Sequence, residues 1–204
     1  ALGNYPNLLN LNARMQAVAF STAFAGGFGL TNGLGLRVGD GMPYMTQSNS
    51  GFAPGGGAAP LVVASFASVF SSPGYLEVGI YNPANGSSAP NGIRFTADAA
   101  GVAALQGYIG GGGPVGAFGT DGLNPSGTGG GLGGGALGKE TTALALNVAF
   151  NNAGILGSAV PGFSSLVYHN PGDALDGLTV TQILAVAQQV VAGLAIPPGY
   201  DYDL

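Results

Sequence analysis

The chain has no cysteine, no tryptophan, a single histidine and only four basic residues. Each shortage excludes something. Without cysteine there are no disulfides and no thiolate metal sites. Arg14, Arg37, Arg94 and Lys139 stand against nine acidic residues, for a net charge of −5. That removes the basic footprint a nucleic-acid partner requires. His169 lacks partners at metal-ligand spacing, so no zinc site is expected. Long hydrophobic runs are missing as well. Stretches such as Leu61–Val63 and Val190–Ala192 are short or broken by polar residues and glycine, whereas a membrane span needs about 20 apolar residues. No basic, apolar signal segment opens the sequence, and Ala1 fits the residue expected after such a segment is removed.

Charge of either sign is scarce: 6% of residues, against about 25% in an average soluble protein. Apolar residues make up 46%, and the mean hydropathy is +0.37. Soluble monomers rely on surface charge to stay apart. Much of this surface is therefore expected to be covered by copies of the chain, by another protein or by glycan. A neutral surface of Ser, Thr, Asn and Gly is the alternative. No run of charge or proline divides the 204 residues, so a single domain over 1–204 is expected.

What is present is organised by helix and strand signals. The clearest lies between Asp176 and Pro198. Thr179 and Gln182 make a capping box, and Leu178 and Ile183 are placed for a hydrophobic staple. Val180, Ile183, Leu184, Ala187, Val190 and Val191 give one apolar face. Gly193 fits the position after the helix, and Pro197-Pro198 forbid continuation. Near the start, Leu8, Leu11, Met15 and Val18 recur at helical spacing, and Phe20, Phe24 and Phe28 widen the apolar side. This predicts an apolar helix from about Leu8 to Phe24, within an N-terminal segment 1–28 that is buried either in its own core or in a neighbouring copy.

Strands are predicted at 34–39, 75–81 and 93–95, from period-two alternation bounded by turn residues. Residues 61–70 fit strand or helix. Thr96-Ala97-Asp98 starts a helix that keeps Val102, Leu105 and Ile109 on one face. Residues 110–138 form a glycine-rich tract, whose composition alone buries too little surface to offset its chain entropy. Lys139–Phe150 alternates like a strand but is rich in Ala and Leu, and is read as helix. The expected fold is α+β: about four helices, a small antiparallel sheet and a long Gly-rich loop.

The order of these pieces resembles a poorly characterised module of secreted bacterial surface proteins. The likeness is carried by NGLGLRVGD, FTADAAGVAAL, the glycine-rich spacer, ALGKETTALALNVAFNNAG and SSLVYHNPGDALDGLTVTQILAVAQQVVAG. It is most specific at Ala136–Asn151 and Leu175–Gly193, covers about half of the chain, and leaves Gly51–Ser88 looking like an insertion. Its motifs are structural: caps, apolar faces and glycines. The resemblance implies export and a cell-surface location, and it carries over no catalytic residues.

Chemistry reads weakly. His169 with Asp173 or Asp176 suggests a triad only if a serine joins them, and no G-x-S-x-G elbow is present. Asp173, Asp176, Asp201 and Asp203 do not follow a calcium-loop spacing. The glycine runs lack the Lys-Ser or Lys-Thr of a phosphate loop. Asn85-Gly86-Ser87 is a sequon, with Asn85 as a weak glycosylation candidate. The tyrosines fit subunit interfaces better than sugar stacking. Neither catalysis nor a cofactor is expected. The expectation is an extracellular structural protein that assembles with itself into a filament or surface layer. Leu8, Leu11, Met15, Val18, Phe20, Phe24, Phe28 and the tract 110–138 are its candidate assembly surfaces. A glycan- or ligand-binding adhesin module is the alternative. A Thr-repeat ice-binding surface is not supported, because no repeat is found.

Overall fold

Alternating apolar and polar residues shape the first part of the chain as strands. The computed structural model describes backbone at 11–15, 18–20, 28–30 and 34–38. It also describes residues 45–202, except 111, 128, 130, 157–161 and the side chain of Asn85. The chain separates into two units, residues 1–43 and 44–204.

In the first unit, β1 is Leu11–Met15, β2 Val18–Phe20, β3 Phe28–Leu30 and β4 Leu34–Val38. The expected helix over Leu8–Phe24 is therefore corrected to strands where it is described; its remaining positions lie outside the described residues. The reason is in the pattern. Leu11, Ala13 and Met15 alternate strictly with Asn12 and Arg14, which satisfies a period of two better than one of 3.6. β1 pairs antiparallel with β4, setting Leu11 opposite Val38, Ala13 opposite Leu36 and Met15 opposite Leu34. β2 pairs antiparallel with β3, setting Val18 opposite Leu30 and Phe20 opposite Phe28. The second ladder is nested in the first in sequence order, as in one long hairpin. Two residues separate β1 from β2 and three separate β3 from β4, so the two registers differ by one residue.

The second unit is α+β. Among its described residues are five helices: α1 Asn49–Phe52, α2 Ala59–Val69, α3 Ala99–Ile109, α4 Gly135–Asn152 and α5 Val180–Val191. A mixed sheet joins β5 Tyr75–Gly79, β6 Gly92–Thr96 and β7 Gly122–Leu123 in that order. β5 and β6 run antiparallel, and β7 is parallel to β6. Strand Leu34–Val38, expected in this sheet, pairs with β1 instead. Its place as third strand is taken by two residues of the glycine-rich tract, too short to leave a periodic signal.

Local chemistry explains the helices. Of residues 61–70, open between strand and helix, 61–69 belong to α2 and Phe70 is its C-cap; the helix has Pro60 in its first turn, where a missing N–H costs nothing. Asp98 caps α3 by accepting from Gly101 N–H at 2.9 Å. α5 carries the expected capping box in both directions, Gln182 N–H to Thr179 Oγ1 at 3.2 Å and Thr179 N–H to Gln182 Oε1 at 2.8 Å. Gly193 follows its C-cap Ala192 at φ +86°. The sheet buries Leu76, Val78, Ile93 and Phe95, in one core with Leu105 and Tyr108 of α3 and Leu146 and Phe150 of α4. Each such side chain contributes about 1.5–3 kcal/mol.

The glycine-rich tract joins this core. Phe118, buried within it, donates its N–H to Val191 O at 2.7 Å. Gly119 N–H reaches Leu132 O at 2.8 Å, and Gly134 N–H reaches Ala117 O at 3.0 Å. Gly138 has to be glycine, because a Cβ there would run into Tyr108 Oη. Among the described residues no helix is long and apolar enough to cross a membrane.

Candidate functional site

Five of the seven predicted assembly residues fall in the ladders of the first unit. Leu11 and Met15 end β1, Val18 and Phe20 end β2, and Phe28 begins β3. The register sets Phe20 opposite Phe28. Leu8 and Phe24 lie outside the described residues. Among the described residues each ladder is two-stranded, and the outer edges of such a ladder are the ordinary template for pairing with another chain.

The second unit handles extended backbone differently: it closes it with side chains. On the outer edge of β5, Gln188 of α5 accepts from Gly79 N–H and donates to Glu77 O at 3.3 Å. Its carboxamide thus stands where a neighbouring strand would. Beyond β6, Asp121 accepts from Gly92 N–H at 2.7 Å and Asn82 N–H at 3.1 Å. Asn124 accepts from Thr96 N–H at 2.9 Å.

Helix α4 does the same for the first residues of the unit. Asn147 accepts from Gln47 N–H at 2.8 Å and donates to Gln47 O at 2.7 Å. One turn on, Asn151 donates to Met45 O at 2.9 Å. The second amide hydrogen of each asparagine goes to the helix itself, to Ala143 O and Asn147 O, both at 2.9 Å. Both side chains are buried, at 5% and 4% exposure, and both hold peptide groups rather than side chains. Met45 and Thr46 are exposed. The sequence reading passed over these asparagines. Their signal was two carboxamides four residues apart in the otherwise apolar run Ala143–Asn151, one above the other on a single face.

Lys139, only 6% exposed, also serves the backbone. Its Nζ donates to Gly110 O at 2.9 Å and Gly112 O at 2.6 Å, at the C-terminal end of α3, where the helix dipole favours a cation.

Two surface clusters remain. Arg94 lies 4.0 Å from the ring centre of Tyr75 and 4.7 Å from that of Tyr81, and pairs with Glu77 at 2.6 Å. In the loop before α5, His169 Nδ1 is 2.8 Å from Asp176 Oδ1, which also accepts from Asn170 N–H at 2.7 Å. Asp173 accepts from Leu175 N–H at 2.8 Å, Tyr200 Oη at 2.7 Å and Tyr168 Oη at 3.1 Å. These bonds favour the charged carboxylates. Asp173 is lowered mainly by Leu175 N–H and Tyr200, Asp176 mainly by His169 and then Asn170 N–H. Tyr200 is pushed up to about 12, by desolvation and by its bond to Asp173. The carboxylates are thus spent on ordering a loop. Among the described residues no three His, Asp or Glu side chains gather as a metal site. Asn85 lies in a 3-10 turn, Pro83–Asn85, and its side chain is outside the described residues.

The chain matches no protein-family model, no curated protein and no solved structure.

Proposed function

We propose that this is a secreted structural protein that assembles with itself, as the subunit of an extracellular filament or surface layer. One observation carries the reading. Among the described residues of the first unit the apolar strands pair two at a time, and two-stranded pairs are marginal in water unless further strands or a helix cover them. A second copy supplies that cover by adding a strand to an open edge. A contact of that kind joins different surfaces of the two copies and propagates unless a rotation closes it. Scarce charge removes the repulsion that would oppose it. The likeness of the second half to a surface-protein module supports export. No catalytic step and no cofactor belong to this reading.

A ligand-binding adhesin module is the second reading, favoured by the rings of Tyr75 and Tyr81 against Arg94, which pairs with Glu77. Electron microscopy across a concentration series separates the two. Assembly predicts ordered fibres or sheets from the full chain and monomers from a chain lacking residues 1–28. Dispersed full-length protein at high concentration contradicts it, and a glycan-binding screen then tests the adhesin reading.

A further inference from the structure

The clamp formed by Asn147 and Asn151 has a property that the core lacks: it recognises peptide groups alone. Any copy of residues 45–47 satisfies it equally, whether it belongs to the same chain or to another. Downstream, Phe52 is fully buried and meets Phe150 edge-on, with ring centres 6.0 Å apart at 86°. Clamp and anchor together hold residues 45–53. The link Pro54-Gly55-Gly56-Gly57 then leads to α2, which begins at Ala59. Gly55 sits at φ +86°, and the space around its missing Cβ, like that around Gly57, holds no atom within 4 Å. Among the described backbone bonds, two join the arm to this link and its far end: Gly56 N–H to Ala53 O at 2.8 Å and Ala58 N–H to Gly51 O at 2.9 Å.

We propose that residues 45–53 are an exchangeable arm: in the assembly, the arm of one copy occupies the Asn147–Asn151 clamp and the Phe52 site of the next. This rests on the assembly reading above: pairing of the apolar strands supplies the affinity that draws the arm out, and a chain lacking residues 1–28 keeps its arm closed on itself. Exchange keeps the clamp bonds and the buried phenylalanine, and of the two link bonds it gives up the one from Ala58 to Gly51. The arm meets the same groups in a neighbour as in its own chain, so protein concentration and the link decide between the two. The first unit is covalently attached to the arm, so exchange carries its strands to the neighbour. The donor and acceptor surfaces of each copy are different, so the exchange runs on from copy to copy unless two copies trade arms and close.

The absence of cysteine makes the test clean. Met45→Cys places a thiol on the exposed start of the arm, and Asn152→Cys places one on α4 beside Asn151. The two full-length variants are unfolded, mixed, refolded into assemblies and treated with a short bismaleimide. Exchange predicts cross-linked heterodimers, several-fold above a mixture of Met45→Cys with Ser71→Cys. A chain lacking Gly55–Gly57 is expected to assemble at lower concentration, because a shortened link hinders closure within one chain. Assemblies that form but give no excess of heterodimer overturn the exchange and leave self-assembly standing. If neither variant nor the unaltered chain assembles, the assembly reading falls, and the exchange with it.

Discussion

At the scale of single residues, this protein uses glycine to bring backbones together and carboxamides to satisfy them. Gly101, in the first turn of α3, illustrates the first. A Cβ there would overlap Thr96 O and lie 2.6 Å from Thr96 N, both backbone atoms of β6 that cannot swing aside. In an exposed helix interior, replacing glycine by alanine is worth about 1 kcal/mol of added stability. Here the sign reverses. Gly101→Ala forces the start of α3 off the strand, and overpacking of this kind costs about 1–3 kcal/mol, at the upper end where the obstacle is main chain. The midpoint of urea unfolding is expected to fall. A midpoint that holds or rises would mean that α3 does not sit this close to β6. None of this contact was legible in the sequence. The helix start at Thr96-Ala97-Asp98 was, but nothing in FTADAAG announces which residue caps it or which glycine touches a strand.

At the scale of elements, the sheet has three strands because side chains close it. Gln188 fills the outer edge of β5 with one acceptor and one donor. Gln188→Leu keeps the volume and leaves Gly79 N–H and Glu77 O without partners. That is expected to cost about 1–3 kcal/mol for the stranded groups. Gln188→Glu keeps the acceptor alone, so its loss should be smaller. Urea unfolding of the three proteins gives the order. Equal midpoints would show that water satisfies this edge as well as the glutamine does. The elements themselves were unevenly legible. α5 announced itself because cap, apolar face and stop signals coincide, and β5 and β6 because they alternate. α1 and β7 are four and two residues long, below the length at which periodicity exists. The N-terminal strands were misread because apolar residues at 8, 11, 15 and 18 fit helical spacing, while 11, 13 and 15 fit a strand. Pairing with β4, distant in sequence, decides between them.

At the scale of the molecule, scarcity of charge makes a statement about solution behaviour that can be checked apart from any detail of the arm. The described charged contacts are Arg94 with Glu77 and, when the imidazole is protonated, His169 with Asp176. With a net charge of −5 on 204 residues, repulsion between copies is weak. Assembly driven by apolar burial and backbone pairing is then insensitive to screening of charge. Raising sodium chloride from about 50 mM to about 1 M shortens the screening length to about 3 Å, enough to abolish contacts between exposed ions. The concentration at which assemblies first sediment is expected to stay level or to drop slightly as the residual repulsion is screened. Sulfate, excluded from protein surface, should lower it further. Assemblies that dissolve in sodium chloride would place salt bridges between the subunits. The candidate assembly surfaces would then have to be sought around the nine acidic and four basic residues, and the apolar strands would lose their part in the argument.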